Sequence, residues 1–405
     1  MKPNHCVAVF CGALLLCSVS HSAPDEDALG KSRGYPKGMP QTALDDRFKV
    51  GSFSAMDEVF PSRKVARAGS VWELGEGTLP AVKYNFRDTI YTLEDYLKRQ
   101  RVTSLLVLKD GKVLFERYQY DRKPEQRHMS WSMAKSITAL LVGIAVEKGL
   151  IKSLDDKIET YAPEFKGSGY GDKSIRNLLL MGSGVAWDEN YGVRSDVNDL
   201  WGAMFRIFRA GNPTSVLTSR RLTEAPQGTR FKYATGETQV LCHVLHGATK
   251  KDVASLTQEW LWGPLGAQAE ASWLVGWQGI EYCGGGFNAT TRDYARLGHL
   301  LALGGARDGV QIVPKEYLLD ATENARQPKG FQINEAGPGF GYGYQFWLAG
   351  DRGAFAMMGV YGQTIQIFPR SRVVIVQTAA WESASPPESR AERSAALNAI
   401  VEALR

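Results

Sequence analysis

The chain has 405 residues, of which 44% are apolar and 22% are charged. These proportions are typical of a folded globular protein and exclude a disordered, collagen-like or coiled-coil chain. The formal net charge of +5 is too small over this length to indicate a nucleic-acid partner.

The first 23 residues have the pattern of a secretory signal peptide. Lys2 precedes an apolar stretch at 7–19, and a short segment ending in Ser22 and Ala23 follows. A basic start, a short apolar core and small residues at the end direct a chain to secretion. We therefore predict cleavage after Ser22 or Ala23 and a periplasmic or secreted mature protein. The alternative is a buried N-terminal helix. The apolar stretch is too short to span a membrane, and no later segment of the sequence is long and apolar enough to span one.

Cysteine and histidine usage limits the possible chemistry. Removal of the signal leaves Cys242 and Cys283, which either form a disulfide in an oxidising compartment or are two buried, small apolar side chains. The sequence contains neither a CxxC nor an HExxH pattern. We therefore predict no metal site, and nothing in the sequence implies an organic cofactor.

The first predicted elements are a loop, a hairpin and a helix. Residues 24–45 are rich in proline and glycine and predict a flexible entry segment. Two apolar runs at 104–108 and 113–118 are joined by Asp110-Gly111, which predicts a β-hairpin. Residues 136–146 place their apolar side chains on one face of a helix.

The second half of the chain returns from helical to strand patterns. Residues 150–330 are mostly helical in pattern, with many glycine-marked turns. The predicted strands that follow are 344–348, 354–358, 364–368 and 373–378, and a predicted helix at 391–404 ends the chain. Strands at both ends around a helical middle predict an α/β fold, in which a helical lobe at about 150–330 is inserted into one layer.

Ser132-Met-Ala-Lys135 is the only Ser-x-x-Lys sequence in the chain. Residues i and i+3 lie on one face of a helix, so the Lys135 amine can reach the Ser132 hydroxyl. A lysine among apolar residues loses part of its preference for charge and can act as a base near neutral pH. The helix N-terminus also offers N–H groups to a developing oxyanion. The alternative is a chance match with a solvated lysine.

Two further segments could face the same cleft. Tyr233-Ala-Thr235 lies before a glycine, and its phenol could relay a proton. Gly359-Val360-Tyr361-Gly362-Gln363 joins two predicted strands, and its glycines let the backbone approach a ligand closely. The alternatives are a packing tyrosine and an ordinary hairpin turn.

The order and spacing of these three segments resemble the serine β-lactamase and penicillin-binding-protein superfamily. The resemblance covers roughly 90–403 and leaves 24–89 as an N-terminal extension. It is strongest to the class C-like branch, in particular to the 6-aminohexanoate-dimer hydrolases, which share Trp187-Asp-Glu-Asn-Tyr191. The resemblance implies an antiparallel sheet flanked by terminal helices, with an inserted helical lobe.

The resemblance also implies a role for each matched residue. Ser132 would be the acylated nucleophile, Lys135 its general base and Tyr233 the proton relay to the leaving group. The backbone N–H groups of Ser132 and Val360 would form the oxyanion hole. The implied substrate-binding residues are Tyr191, Gly359 and Tyr361.

Two departures from the class C pattern weigh against β-lactam hydrolysis. Thr235 stands where those enzymes have asparagine, and Met357 and Met358 stand before the third motif where a lysine is expected. The missing amide and ammonium normally hold the β-lactam, so a smaller ester or a linear amide fits better. Lys232 or Arg230 could supply a replacement cation.

Three other segments have structural interpretations. The aromatic stretch 187–209 is either a lid over an acyl chain or the core of the helical lobe. Gly284-Gly-Gly286 lacks the spacing of a phosphate-binding loop and predicts a structural turn. The Gly30–Gly34 match to a nucleophile elbow lies in a proline-rich segment and is a chance match.

The sequence therefore predicts a secreted or periplasmic serine hydrolase that cleaves a small-molecule amide or ester through an acyl-enzyme. One alternative is a D-amino-acid peptidase or β-lactamase of the same fold. The other is a catalytically silent binding or sensor domain, which would have no physical need for all three catalytic side chains.

Overall fold

A computed structural model describes residues 23–192, 194–207, 211–350 and 353–405. The predicted signal peptide lies outside the described residues except for Ala23. Phe208, one of the aromatic residues in 187–209, also lies outside them.

The strands, in chain order, are β1 Ser62–Val65, β2 Gly75–Glu76, β3 Lys83–Phe86, β4 Thr89–Thr92, β5 Val102–Lys109, β6 Lys112–Tyr118, β7 His128–Met129, β8 Ala271–Leu274, β9 Phe287–Ala289, β10 Ala306–Arg307, β11 Val310–Gln311, β12 Phe340–Tyr342, β13 Trp347–Ala349, β14 Ala354–Gly359, β15 Gln363–Phe368 and β16 Val373–Ala379. The α-helices are α1 Asp46–Phe53, α2 Met56–Val59, α3 Leu93–Arg99, α4 Met133–Glu147, α5 Ile158–Tyr161, α6 Ile175–Leu179, α7 Asp196–Phe205, α8 Pro213–Thr218, α9 Thr235–Thr249, α10 Val253–Thr257, α11 Gly263–Leu265, α12 Thr291–Ala302, α13 Lys315–Thr322 and α14 Pro387–Ala403.

An eight-stranded sheet in the order β12-β13-β14-β15-β16-β5-β6-β2 forms the centre of the fold. Neighbouring strands are antiparallel except for the short β2, which pairs parallel to β6. Strands from the two ends of the chain meet at the pairing of β16 with β5. The predicted α/β fold with an antiparallel sheet, terminal helices and an inserted helical lobe is confirmed.

Both faces of this sheet are covered, which explains the continuous apolar runs in its central strands. On β5, Leu105 and Val107 pack with α3 and α14 in one cluster. Leu106 and Leu108 face the other cluster, which contains α4 and α12. Successive side chains of a strand point to opposite faces, so a strand buried on both sides shows no polar alternation.

A second sheet, in the order β1-β8-β9-β7, connects the helical lobe to the segment that carries Ser132. β7 pairs with β9, and the N–H of Ser130 donates to the carbonyl of Phe287 at 2.7 Å. This pairing fixes the start of α4, four residues after β7 ends.

The N-terminal segment differs from the prediction. Residues 24–45 were expected to form a flexible entry, but Leu29, Tyr35 and Ala43 are each less than 5% exposed and belong to the main apolar cluster. This cluster also contains Val50 and Phe53 of α1 and Met56 of α2, and burial of the apolar side chains stabilises a conformation that the proline and glycine content alone does not specify.

Two details of the C-terminal part also differ. The predicted strand at 344–348 is wrong over most of its length: 344–346 form the turn between β12 and β13, where Gln345 has a positive φ, and only Trp347 and Leu348 lie in β13. The last helix begins at Pro387, four residues earlier than predicted, since proline is well tolerated in the first helical turn. Within the described residues, no helix has the length and apolar composition needed to cross a membrane.

Candidate active site

Ser132 lies at the N-terminus of α4, directly after the pairing of β7 with β9. The residue before it, Trp131, has a φ of 46°, in the left-handed region that a bulky side chain rarely adopts. The Trp131 ring packs against Phe53, Trp201 and Tyr361 at centroid distances of 5.4, 5.8 and 5.3 Å. This aromatic packing holds the turn that places Ser132 at the helix end.

Lys135 is one helical turn further on and is buried. Its Nζ donates to Ser132 Oγ at 2.9 Å and to the carbonyl of Gly284 at 2.6 Å. Burial lowers the pKa of Lys135 to about 8, and the negative charge of Glu189 opposes this shift. The amine is therefore available in its neutral form in mildly alkaline solution, one turn from the hydroxyl.

Tyr233 borders the same space from the segment before α9. Its ring centroid lies 5.2 Å from Lys135 Nζ, and its ring stacks on Trp347 at 5.7 Å. Burial and the charge of Glu189 raise the pKa of Tyr233 well above its usual value, while a hydrogen bond with Ser132 acts in the opposite direction. The phenol is therefore protonated at neutral pH and can donate.

The turn between β14 and β15 supplies the third side of the site. A side chain at Gly359 would place its Cβ 2.4 Å from the carbonyl oxygen of Ser130, so this close approach requires glycine. Tyr361 has a φ of 62°, and its N–H donates to the carbonyl of Ala384 at 2.8 Å. Val360 lies between them and borders the space beside Ser132.

Glu189 connects several side chains of the site. Its carboxylate accepts hydrogen bonds from the Trp187 indole N–H at 2.5 Å and from the Tyr191 hydroxyl at 2.6 Å. It also accepts the N–H of Thr235 at 2.9 Å and the hydroxyl of the same residue. Tyr191 is 37% exposed and is oriented by this carboxylate.

Two cavities meet at Ser132. The smaller, of about 70 Å³, is lined by aromatic residues that include Trp201 and Tyr282. The larger, of about 550 Å³, is lined by Tyr233, Gly359 and residues of the C-terminal helix. Three residues line both cavities, and they are Ser132, Tyr191 and Val360.

The structure brings together all the residues predicted for the site. Ser132, Lys135 and Tyr233 surround one point. The cavities there are lined by the predicted oxyanion-hole residue Val360 and by the predicted substrate-binding residues Tyr191, Gly359 and Tyr361. The Tyr361 ring also packs against Phe53 at 5.2 Å and against Trp131 at 5.3 Å.

Sequence reasoning missed two site residues. Gly284 was interpreted as part of a structural turn, yet its carbonyl accepts the Lys135 hydrogen bond. A Cβ at Gly284 would lie 2.6 Å from the Thr235 side chain, so only glycine lets this carbonyl approach. Glu189 lies inside the Trp187-Asp-Glu-Asn-Tyr191 stretch, where an acidic residue between two aromatic residues is the sequence feature that could have indicated its place in the site.

The residues at the positions where class C enzymes hold a β-lactam, and the two possible replacement cations, have other contacts in this structure. Met357 is fully buried, whereas Met358 lines the larger cavity. Lys232 and Arg230, the two residues that could supply a replacement cation, both pair with Glu224, at 2.6 and 3.1 Å. Lys232 lines a separate, open cavity of about 770 Å³ that does not include Ser132.

The aromatic stretch 187–209 contributes mainly to the packing of the helical lobe. Trp187 is buried, and Trp201 and Phe205 pack against Phe60 at 5.3 and 4.8 Å. Among the described residues of this stretch, Tyr191 is an exposed aromatic residue that lines both cavities.

A disulfide joins Cys242 on α9 to Cys283, with a Cα–Cα distance of 5.9 Å. Cys242 also lies with His246 and Glu281 in the one group of possible metal ligands found among the described residues. Its sulfur is bonded to Cys283, and the Glu281 carboxylate contacts His246 and Arg63, so the oxidised protein uses these groups for structure.

Comparison with known proteins places this site in a family. The family model described as Beta-lactamase matches residues 92–399, which include every residue predicted for the site. The chain belongs to the beta-lactamase family. It is therefore a hydrolase of the serine beta-lactamase-related type.

Individual relatives agree with this membership. The chain is 28% identical over 343 residues to a 6-aminohexanoate-dimer hydrolase of Paenarthrobacter ureafaciens, and the match covers 82% of this chain and 85% of the relative. A Bacillus anthracis structure assigned as a 6-aminohexanoate-dimer hydrolase superposes with a TM-score of 0.80 at 24% identity, covering 95% and 98% of the two chains. A family VIII carboxylesterase superposes with a TM-score of 0.57 at 17% identity, covering 74% and 93%. These structural likenesses concern the fold.

Proposed function

We propose that this protein hydrolyses an amide or ester through an acyl-enzyme formed on Ser132. The observation that carries the proposal is the 2.9 Å contact between Ser132 Oγ and Lys135 Nζ, in a site where burial favours the neutral amine. A serine hydroxyl is a weak nucleophile unless a base accepts its proton, and Lys135 is the group within reach.

The mechanism divides the work among side chains and backbone. Ser132 Oγ attacks the carbonyl carbon while Lys135 accepts the hydroxyl proton. The N–H groups of Ser132 and Val360 stabilise the oxyanion. Tyr233 relays to the departing nitrogen or oxygen the proton that Lys135 has taken from Ser132, so both side chains return to their starting protonation states. Water then attacks the acyl carbon and gives a proton to Lys135, and the bond from the acyl carbon to Ser132 Oγ breaks as Oγ regains that proton.

The preferred substrates are small linear amides or esters rather than β-lactams. Thr235 directs its hydroxyl to Glu189, and Met357 is buried, so neither supplies the polar contact that a β-lactam uses. The 6-aminohexanoate-dimer hydrolase relative and the carboxylesterase neighbour are named for amide and ester substrates. A D-amino-acid peptidase of the same fold is the second candidate.

The mature protein acts in the periplasm or outside the cell. The support is the signal-like N-terminus together with a disulfide, which persists in oxidising compartments. Expression of the full chain in a bacterium, followed by N-terminal sequencing of the periplasmic fraction, tests this. Recovery of the uncleaved chain in the cytoplasm would contradict it.

Labelling and kinetics test the proposed chemistry. A fluorophosphonate should label the wild-type protein and not Ser132→Ala, whose turnover should fall by several orders of magnitude. A silent binding domain would take up no label. Ser136→Ala is a matched control, because Ser136 is buried on the same helix and donates to the carbonyl of Gln345.

The substrate preference is measured as kcat/KM for p-nitrophenyl butyrate and for nitrocefin on one preparation. We expect the butyrate ester to be favoured, because each missing β-lactam contact costs about 1–3 kcal/mol. A tenfold preference for nitrocefin would identify a β-lactamase with an unusual pocket and would contradict the substrate argument.

A further inference from the structure

Three side chains that can bind a metal lie together where α9 meets the segment after β8. Cys242, His246 and Glu281 each offer one ligand atom, and these atoms all lie within 4.8 Å of one another. Cys242 and Glu281 are fully buried, whereas the His246 side chain is 26% exposed and gives solvent access to the cluster. Cys242 and His246 are four residues apart on α9, so their side chains lie on one face of the helix.

This set of ligand atoms is one that zinc prefers. Zinc in proteins is bound by cysteine sulfur, histidine nitrogen and carboxylate oxygen, whereas calcium and magnesium take oxygen ligands. His246 Nε2 and Glu281 Oε2 lie 3.0 Å apart. Two such ligands on one tetrahedral zinc ion are about 3.3 Å apart, so zinc can take the place of this hydrogen bond with little movement of either side chain.

The other oxygen of the Glu281 carboxylate is held by neighbouring donors. Oε1 accepts hydrogen bonds from the Arg63 guanidinium and from the N–H of Ala254, the latter at 3.3 Å. Arg63 also lies 3.8 Å from Asp252, so its positive charge is shared between two carboxylates. A carboxylate that is fixed through one oxygen presents the other in a defined direction, as the ligands of metal sites generally do.

The disulfide controls whether the sulfur ligand is available. Cys242 Sγ is bonded to Cys283 in the oxidised protein, and only a free thiolate binds zinc. Reduction by a dithiol exchanges the bond, so the dithiol becomes a cyclic disulfide and both cysteines become thiols. Zinc then displaces the thiol proton of Cys242 into solvent. The thiolate and the Glu281 carboxylate balance the two positive charges of the ion, so the ion is buried with its charge paired.

A metal ion at this cluster would join the same two segments as the disulfide. Two of its three ligands belong to α9, and the third, Glu281, lies two residues before Cys283. The next residue, Gly284, is the one whose carbonyl accepts the Lys135 hydrogen bond. Either link therefore restrains the turn that orients the Lys135 amine.

We propose that reduction of the disulfide opens a zinc site formed by Cys242, His246 and Glu281. Bound zinc then holds α9 to the segment 281–284 in place of the disulfide. The protein thus has an oxidised form that is tied by sulfur and excludes the metal, and a reduced form that is tied by zinc. This inference goes beyond the proposed hydrolysis and does not depend on it. The alternative is that zinc binds the protein only adventitiously at its surface.

Two single variants separate the sulfur ligand from the disulfide. Cys283→Ser and Cys242→Ser both lack the disulfide and keep one of the two cysteines, but only Cys283→Ser keeps all three ligands. In zinc titrations of the mature protein against a competing chelator, under nitrogen, we expect Cys283→Ser to bind one zinc ion per chain without any reductant. Cys242→Ser should bind zinc at least about 100-fold more weakly, since loss of a residue that only supports a ligand already costs about 10- to 100-fold. Equal affinities of the two variants would overturn the proposal.

Two histidines on α9 provide a matched pair for the nitrogen ligand. In the Cys283→Ser protein, His246→Gln should weaken zinc binding at least about 100-fold. His243→Gln is the control and should leave the affinity unchanged, because His243 pairs with Glu164 at 2.8 Å and lies outside the cluster. Cobalt(II) added to Cys283→Ser should give the sulfur-to-cobalt charge-transfer absorption of a bound thiolate. Absence of this absorption, or equal losses in the two histidine variants, would contradict the assigned ligands.

Measurements on the mature wild-type protein cover the case in which a variant does not fold. We expect the oxidised protein to bind no zinc at the cluster, and the protein reduced by a phosphine, which becomes a phosphine oxide, to bind one zinc ion per chain. Zinc should also raise the Tm of the reduced protein and leave that of the oxidised protein unchanged, because a metal that binds only the folded state stabilises it. Equal binding by the two forms, or an equal change in Tm, would indicate an adventitious ion only and would overturn the proposal.

Discussion

Opposing effects on one amine set the chemistry of the site. Lys135 is buried, which lowers its pKa to about 8, whereas the carboxylate of Glu189 favours the charged form. The Gly284 carbonyl accepts one of its protons and directs the nitrogen toward Ser132. A lysine on the surface would be almost fully protonated at neutral pH and could not act as a base.

Activity should depend on the neutral form of Lys135. Because the base must be unprotonated, kcat/KM for a butyrate ester should fall about tenfold per pH unit below pH 8. Lys135→Arg should lose about 10²- to 10⁴-fold, since arginine does not deprotonate in this range. Lys148→Arg, at the exposed end of the same helix, is the control. An active Lys135→Arg variant would assign the base to another group.

Removal of the Glu189 charge should move this pH dependence in a defined direction. Without the nearby carboxylate the ammonium form of Lys135 is less stable, so its pKa decreases. In Glu189→Gln the acidic limb of the kcat/KM profile should therefore shift to lower pH. Glu259→Gln removes an exposed carboxylate that pairs with Lys251 and should leave the limb in place. A shift to higher pH in Glu189→Gln would contradict the electrostatic role.

At the scale of elements, the site depends on how α9 is tied to the turn that follows β8. The disulfide joins Cys242 on α9 to Cys283, the residue before Gly284. Gln239, on the same helix, accepts the N–H of Cys283 at 3.1 Å and donates to the carbonyl of Glu281 at 2.8 Å. These contacts hold the Gly284 carbonyl against Lys135.

Loss of the disulfide should affect both stability and catalysis. The two cysteines are 41 residues apart, and closing a loop of this length stabilises a fold by about 3–4 kcal/mol. The double variant Cys242→Ser/Cys283→Ser should show a lower Tm and a reduced kcat, because the Gly284 carbonyl is less constrained. Dithiothreitol should lower the Tm of the wild type and not of the variant. An unchanged Tm in both cases would show that packing alone holds this turn.

At the scale of the whole molecule, the N-terminal segment is part of the catalytic architecture. Lys49 on α1 donates to the carbonyls of Trp381 and Glu382 at 3.2 and 2.8 Å. Phe53, at the end of the same helix, packs on Trp131 and Tyr361 at 5.4 and 5.2 Å. The segment before the matched family region thus supports both the turn before Ser132 and the turn after β14.

Truncation of Phe53 should therefore lower stability and activity together. Phe53→Ala removes a side chain that is 3% exposed, and the resulting cavity should cost about 3–5 kcal/mol of unfolding free energy. We expect a lower kcat/KM as well, because Trp131 and Tyr361 lose their common support. Phe48→Ala, a half-buried phenylalanine on the same helix, should cost less and leave kcat/KM near the wild-type value. Similar effects of the two variants would argue against a specific role for Phe53.

Local features of the site could be predicted because they depend on short-range geometry. Residues i and i+3 share a helix face, so the spacing of Ser132 and Lys135 placed amine and hydroxyl together. The alternating and apolar runs likewise predicted β5, β6, β14, β15 and β16 within one or two residues. The fold class followed from the order of these elements.

Contacts between distant segments were decided only by the tertiary structure. Gly284 and Arg393 are about 150 and 260 residues away from Ser132 in the chain. The periods of helices and strands relate residues only over short separations, so they cannot predict that these residues meet. The regular geometry of a helix or strand determines the distances between residues of that one element. Which helix ends and turns meet depends on how all the apolar faces pack into one core, and that packing placed Gly284 beside Lys135 and Arg393 in the larger cavity at Ser132.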